Sequence, residues 1–148
     1  MEFKFGQRSK EQLGSCHPDI ITVLSHCIRI VDFSVLEGVR TPERQMQLFI
    51  QHRTTLDGTT GHQSKHQPKE HGWSHAVDIA PYPIDFSDEA TARARFYFLQ
   101  GIVKGVSELL YTNGVIKHRI RQGCDWDGDM DFTDQHFDDL PHLELIEK

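Results

Sequence analysis

Three short segments of this 148-residue chain combine residue types that bind metal ions: Ser64-Lys-His66, Ser74-His-Ala-Val-Asp78 and Asp139-Leu-Pro-His142-Leu-Glu144. They offer two imidazoles, His66 and His142, and one carboxylate, Asp78. Zinc accepts that ligand set in tetrahedral sites, and a reactive site leaves the fourth position to water. Asp139 stands three residues before His142, close enough to face such a water without being a ligand. A carboxylate there can take a proton and later return it. Glu144 follows His142 by two residues and would share its face on a strand, where it can orient the imidazole. Arg40 lies between an apolar run and a helix start. It can present a fixed fork to a carboxylate or a developing oxyanion, although a surface arginine has the same local signature. Spacing alone also fits polar loop residues that share no site. Ten histidines make the chain unusual, so position has to single out any ligand among them.

The stretch Asp125-Trp-Asp127-Gly-Asp129-Met-Asp131-Phe-Thr133-Asp134 holds five aspartates within ten residues. Asp127, Asp129 and Asp131 have the offset of positions 1, 3 and 5 of a calcium loop, and Thr133 can offer its carbonyl at position 7. Glycine is missing at position 6, and Asp138 rather than glutamate stands at position 12. A solvated acidic loop is the competing reading. The expectation is calcium at Asp127, Asp129 and Asp131, ordering the segment that leads to Asp139 and His142.

The elements that must position these residues follow from pattern. Ser9-Lys-Glu-Gln12 has the form of a capping box for a short helix. Pro18 sits just inside a second helix, with Ile20, Leu24, Cys27 or Ile28, and Val31 as its apolar stripe. Residues 33–38 read as a strand ending in a turn. Thr41-Pro42-Glu43 predicts a helix from 42 to about 52. From Leu56 to His75 no periodicity appears, which predicts a long loop of the kind that tends to be functional. Residues 76–80 read as a short strand closed by Pro81 and Pro83. Ser87 is the expected cap of the longest helix, with Ala92, Phe96, Leu99, Val103, Val106 and Leu110 as its stripe and Asn113-Gly114 as its stop. Strands are expected at 115–121 and 143–146, separated by the acidic loop. Trp73 and Trp126 can line a groove or pack inside. This order of elements predicts a single α+β domain, a small antiparallel sheet packed with helices.

Composition narrows the function classes. A net charge of -6 argues against nucleic-acid binding, which needs a basic surface. Nothing approaches the roughly 18 consecutive apolar residues of a membrane span. The opening Met1-Glu-Phe-Lys-Phe lacks the organisation of a secretory signal, so accumulation in the cytoplasm is expected. Cys16, Cys27 and Cys124 are an odd number without tight spacing, against both a disulfide framework and a thiolate metal site. A monomer is expected.

Taken together, the motifs resemble the phage-type L-alanyl-D-glutamate endopeptidases, relatives of the zinc D-alanyl-D-alanine carboxypeptidases. The resemblance runs from Phe3-Lys-Phe-Gly6 and Gly38-Val-Arg-Thr41 with Gln45, through Ser64-Lys-His66, Ala76-Val-Asp78, Ala80-Pro81 and Asp125-Trp126, to Asp139-x-x-His142-x-Glu144-Leu145. It implies zinc on His66, Asp78 and His142, Asp139 as base, and Arg40 in the site. It also implies the L-Ala-D-Glu bond of peptidoglycan as substrate, for a phage lysis enzyme that reaches the wall after release. One departure concerns the first ligand. That family places about six residues between it and the aspartate; His66 is separated from Asp78 by eleven and His71 by six. The serine two places earlier favours His66; His75 is a third candidate, and His52 and His62 read as surface. A D-alanyl-D-alanine carboxypeptidase with the same site, and a calcium-binding regulatory module without hydrolysis, remain as alternatives.

Overall fold

The computed structural model describes residues 2–147. In chain order it contains α1 (Gln7–Gly14), α2 (Pro18–Cys27), β1 (Phe33–Glu37), α3 (Pro42–Ile50), a single 3-10 turn (Glu70–Gly72), β2 (Ala76–Pro81), α4 (Ala90–Thr112), β3 (Arg119–Gln122) and β4 (His142–Ile146). The four strands form one antiparallel sheet in the order β1-β2-β4-β3. This is the α+β domain expected from the sequence.

Side chains alternate across the strands, and here the alternation separates core from chemistry. Val77, Ile79, Leu143 and Leu145 point into the main core with Val35 and Ile120, packed against Ile20 and Leu24 of α2 and Leu99 and Val103 of α4. Asp78, His142 and Glu144 take the intervening positions. The register sets Asp78 opposite His142 on β2 and β4, and Arg121 of β3 opposite Glu144. Directly opposed residues bring their Cβ atoms within about 5 Å, so strand pairing alone gathers these groups.

Several ends differ from expectation for local reasons. Ser9 lies inside α1 rather than capping it, because its hydroxyl accepts the Val35 N–H at 3.0 Å. Gly6 is the cap instead, without a side-chain bond. His17 caps α2 through Nδ1, which accepts the Asp19 N–H at 2.9 Å. Thr41 caps α3 as predicted. Ser87 does not cap α4; its N–H turns back to the Asp85 carboxylate, and the helix begins at Ala90. The third strand starts at Arg119 rather than at 115, since the Lys117 and His118 N–H groups donate to the Asp19 carboxylate, at 3.0 and 3.2 Å, instead of to a ladder.

Candidate metal centre

His66 reaches the sheet from the long loop, and a chain of hydrogen bonds fixes where it stands. The Ser64 hydroxyl accepts the His66 N–H at 3.2 Å, which gives the serine two residues before the histidine its purpose. Gln67 receives the Ser64 N–H and donates to the Gly58 carbonyl. Gln45 of α3 donates to the Leu56 carbonyl at 2.6 Å. The Arg40 N–H donates to the His66 carbonyl at 2.7 Å.

The ring of His66 is then set by Gly38, whose carbonyl lies 2.8 Å from Nδ1. That bond makes Nδ1 the protonated nitrogen and leaves Nε2 with a free lone pair. Gly38 has to be glycine, because a Cβ there would collide with the Gln12 carbonyl of α1 and the hydroxyl of Ser15 just after it. His66 is 2% exposed. Its Nε2 is buried without a hydrogen-bond partner and faces Asp78 Oδ1 at 3.4 Å.

His142 completes the set. Its Nδ1 lies 3.3 Å from Asp78 Oδ1, and its Nε2 lies 2.9 Å from Glu144 Oε1. Donor atoms of His66, Asp78 and His142 all fall within 4.8 Å of one another. Two imidazoles and a carboxylate converging on one point suit a divalent ion such as zinc. The orphaned His66 Nε2 fits that reading, since a buried nitrogen without a partner is costly unless something binds it. Behind His142, Glu144 is held by Arg121 at 2.6 Å and Lys65 at 3.3 Å, a carboxylate–histidine arrangement common around metals. Burial opposes the charge on Asp78, but His66 and His142 hold it well below the ordinary carboxylate range. Burial likewise disfavours a proton on His142, yet Asp78 and Glu144 push it up to about 9. Glu144 is kept down at about 2 against its burial, by His142 and Arg121.

Asp139 stands at the rim, its Oδ2 3.9 Å from His142 Nδ1. Burial and the charge of Asp78 raise its pKa, while His142, His66 and Arg40 pull the other way. Gly123 fixes its place, since the Asp139 N–H donates to the Gly123 carbonyl at 3.0 Å and any Cβ at Gly123 would strike the Asp139 carbonyl. Arg40 is clamped. Its guanidinium bonds Glu37 through Nε at 2.6 Å and through Nη2, bonds Gln45 through Nη1 at 2.9 Å, and sets Nη2 3.8 Å from Asp78.

These groups line a groove of about 1370 Å³. Trp126 is on its wall, stacked on Phe137 with ring centroids 6.4 Å apart and 5.4 Å from the His142 ring. Although the chain is acidic overall, Arg8, Arg44, Arg53, Lys65 and Arg121 also line this groove. None of those five stood out in the sequence, and neither did Glu37. Lys65 has the one local signal, adjacency to His66.

His71 is elsewhere, in the 3-10 turn with φ 56° and its ring 4.6 Å from Trp73. His75 also points away, onto Glu70 and His17. In the acidic loop Asp125, Asp127 and Asp129 bring their oxygens within 4.8 Å of one another. Asp131 closes a turn on Thr133, accepting its N–H at 2.9 Å and its hydroxyl at 2.6 Å, as Asp127 and Asp129 each accept the N–H two residues on. Asp125 is 6% exposed, and its Oδ1 is buried without a partner.

In both sequence and fold the chain is similar to known peptidases. The chain is similar to the L-alanyl-D-glutamate peptidase of Escherichia phage T5, 28% identical over 154 residues that span 99% of this chain and 100% of the relative. Its fold is similar to the crystal structure of Serratia marcescens L-Ala D-Glu endopeptidase ChiX, with TM-score 0.65 and 26% identity over 98% of this chain and 92% of that one. The family model described as phage L-alanyl-D-glutamate peptidase matches residues 1–146, so the segments carrying the imidazoles, the carboxylates and the clamped arginine all lie inside the match, and the chain belongs to that family of peptidases.

Proposed function

We propose that this chain hydrolyses the L-alanyl-D-glutamate bond of peptidoglycan stem peptides with zinc held by His66 Nε2, His142 Nδ1 and Asp78, as a phage lysis enzyme that meets the wall after release. The observation that carries the metal reading is the buried, unpartnered His66 Nε2 beside Asp78 and His142. Family membership supports the substrate.

Zinc bound there supplies a Lewis acid and acidifies water at neutral pH. The residues do the rest. Asp139, with its pKa raised, accepts a proton from water at its carboxylate and returns it to the departing amine. Arg40, immobilised by Glu37 and Gln45, keeps a fixed positive charge beside Asp78 and stabilises negative charge that develops on the scissile carbonyl oxygen. Glu144, tied to Arg121 and Lys65, holds the His142 ring in orientation. The cationic groove wall suits a stem peptide, which carries free carboxylates, so the site supplies the attraction that the net charge does not.

The test is digestion of purified peptidoglycan, with mass spectrometry of the fragments and metal analysis of the protein. New amino-terminal glutamate with bound zinc supports the proposal. Release of terminal D-alanine would make the chain a carboxypeptidase, and unchanged activity after complete metal removal would end the metal mechanism.

A second ion is favoured by the buried Asp125 Oδ1. We propose that Asp125, Asp127 and Asp129 take calcium, which prefers carboxylate oxygens, and so order the loop before Asp139. Desolvation and the neighbouring carboxylates of Asp129, Asp127 and Asp131 raise the pKa of Asp134, the repulsion that a cation would relieve.

A further inference from the structure

A second group of histidines meets outside the groove. His17 caps α2, His75 leads into β2 and His118 leads into β3. Their ring centroids are 4.9 Å apart for His17 and His118, 5.2 Å for His17 and His75, and 6.0 Å for His75 and His118. The rings of His66 and His142 are 5.3 Å apart. Two imidazoles sharing one tetrahedral ion, at metal–nitrogen distances of about 2.0–2.1 Å, have centroids roughly 5 Å apart. The two pairs that include His17 match the separation that a shared ion requires, while His75 and His118, 6.0 Å apart, stand wider and meet through their common neighbour His17.

Two carboxylates join them. Donor atoms of His17, Glu70 and His75 lie within 4.8 Å of one another, and so do those of His17, Asp19 and His118. Asp19 Oδ2 bonds His118 Nδ1 at 2.8 Å. That fixes the proton on Nδ1 and leaves Nε2 as the free donor, as a carboxylate behind a ligating histidine does.

We propose that His17, His75 and His118, with Glu70 as fourth donor and Asp19 behind His118, form a second, structural site for a divalent transition ion of the zinc type. The ion takes the place of the hydrogen bond between His75 Nε2 and Glu70. It also competes with the α2 cap. His17 Nδ1 accepts the Asp19 N–H, so ligation through Nε2 moves the ring proton to Nδ1 and gives up that bond. The site is accordingly weaker than the one in the groove. Its effect is mechanical. His75 donates its N–H to the Lys65 carbonyl at 2.9 Å, and its carbonyl accepts the Leu145 N–H at 2.8 Å. An ion on His75 ties the end of the His66 loop to α2 and to the start of β3.

The experiment is calorimetric titration of the metal-stripped full chain with zinc chloride, paired with thermal unfolding and circular dichroism of each variant. Two equivalents are expected. The weaker should vanish in His118→Ala and in His75→Ala, and with it the rise in Tm on adding the second equivalent. Imidazole nitrogen shifts of His17, His75 and His118 should move with that equivalent alone. If His118→Ala misfolds through loss of the Asp19 contact, His75→Ala carries the test. A single equivalent in the wild type, or a second one that survives both substitutions, overturns the proposal. The groove is tested separately: His142→Ala should remove the tighter equivalent, and its failure to do so would count against the metal reading of the groove without touching this one.

Discussion

Replacing Glu144 by glutamine tests whether the groove is built around a ligating His142. Glu144 is 7% exposed and has three partners: His142 Nε2 at 2.9 Å, Arg121 at 2.6 Å and Lys65 at 3.3 Å. Glutamine keeps an acceptor for the imidazole but loses the charge and turns an NH₂ toward two cations. Outer partners of ligating histidines are worth about 10–100-fold in metal affinity, or about 1.4–2.7 kcal/mol. Burial and the double cationic clamp place Glu144 in the upper half of that range. In the metal-free protein the lost hydrogen bonds to charged groups cost about 1–3 kcal/mol, a Tm drop of roughly 3–10 °C for a domain of this size. The pH dependence has a definite sign. Glu144 is held down at about 2 from an ordinary value of 4.5. Its contribution is therefore complete above 4.5 and is lost as pH falls toward 2, so the gap between wild type and variant should close on acidification. Zinc competition against a chromophoric chelator measures the affinity, and thermal melts from pH 7 downward measure the stability. A folded variant whose zinc affinity stays within about threefold of wild type would refute the idea that Glu144 orients a ligand.

Asp139→Asn should retain zinc and fold while turnover falls by about 10²–10⁴-fold. Because the pKa of Asp139 is raised, the acid limb of the wild-type kcat/KM profile should lie above that of a free aspartate and disappear in the variant. An emptied metal site in Asp139→Asn would make it a ligand instead. His66→Ala should lose zinc in dialysis where His71→Ala keeps it, and the reverse ranking would move the first ligand to His71. Calcium should raise the activity of the zinc-loaded protein and order the loop in hydrogen exchange, and Asp125→Asn should abolish both responses; no calcium heat in calorimetry at millimolar concentration would leave that loop as solvated charge.

Much of this protein is legible along the chain. The stripes of α2 and α4, the Thr41-Pro42 start of α3 and the apolar runs of β1, β2 and β4 are local signals, set by side-chain period and capping chemistry, and they were enough for an α+β reading. The ligand-type residues stood in recognisable segments because Ser64 must reach the His66 N–H and Asp139 must precede His142, both short-range demands. What the sequence left open was decided across long separations. Which of His66 and His71 lies beside Asp78 and His142 depends on loop bonds to Gly58, Leu56 and Arg40, and on a Gly38 carbonyl that aims the His66 ring. Arg121 and Lys65 became partners of Glu144 only when β3 paired with β4 and the long loop folded over them. Ser9 and Ser87 misled as caps because a hydroxyl or an N–H takes the best acceptor or donor in space, whatever motif it occupies in sequence. Asp125 drew no notice as a partner of Asp127 and Asp129 because only the folded loop brings the oxygens of these three within 4.8 Å of one another. Periodicity records which face of an element is apolar, but a site is made where polar faces of different elements converge, and that convergence is set by strand register and loop closure.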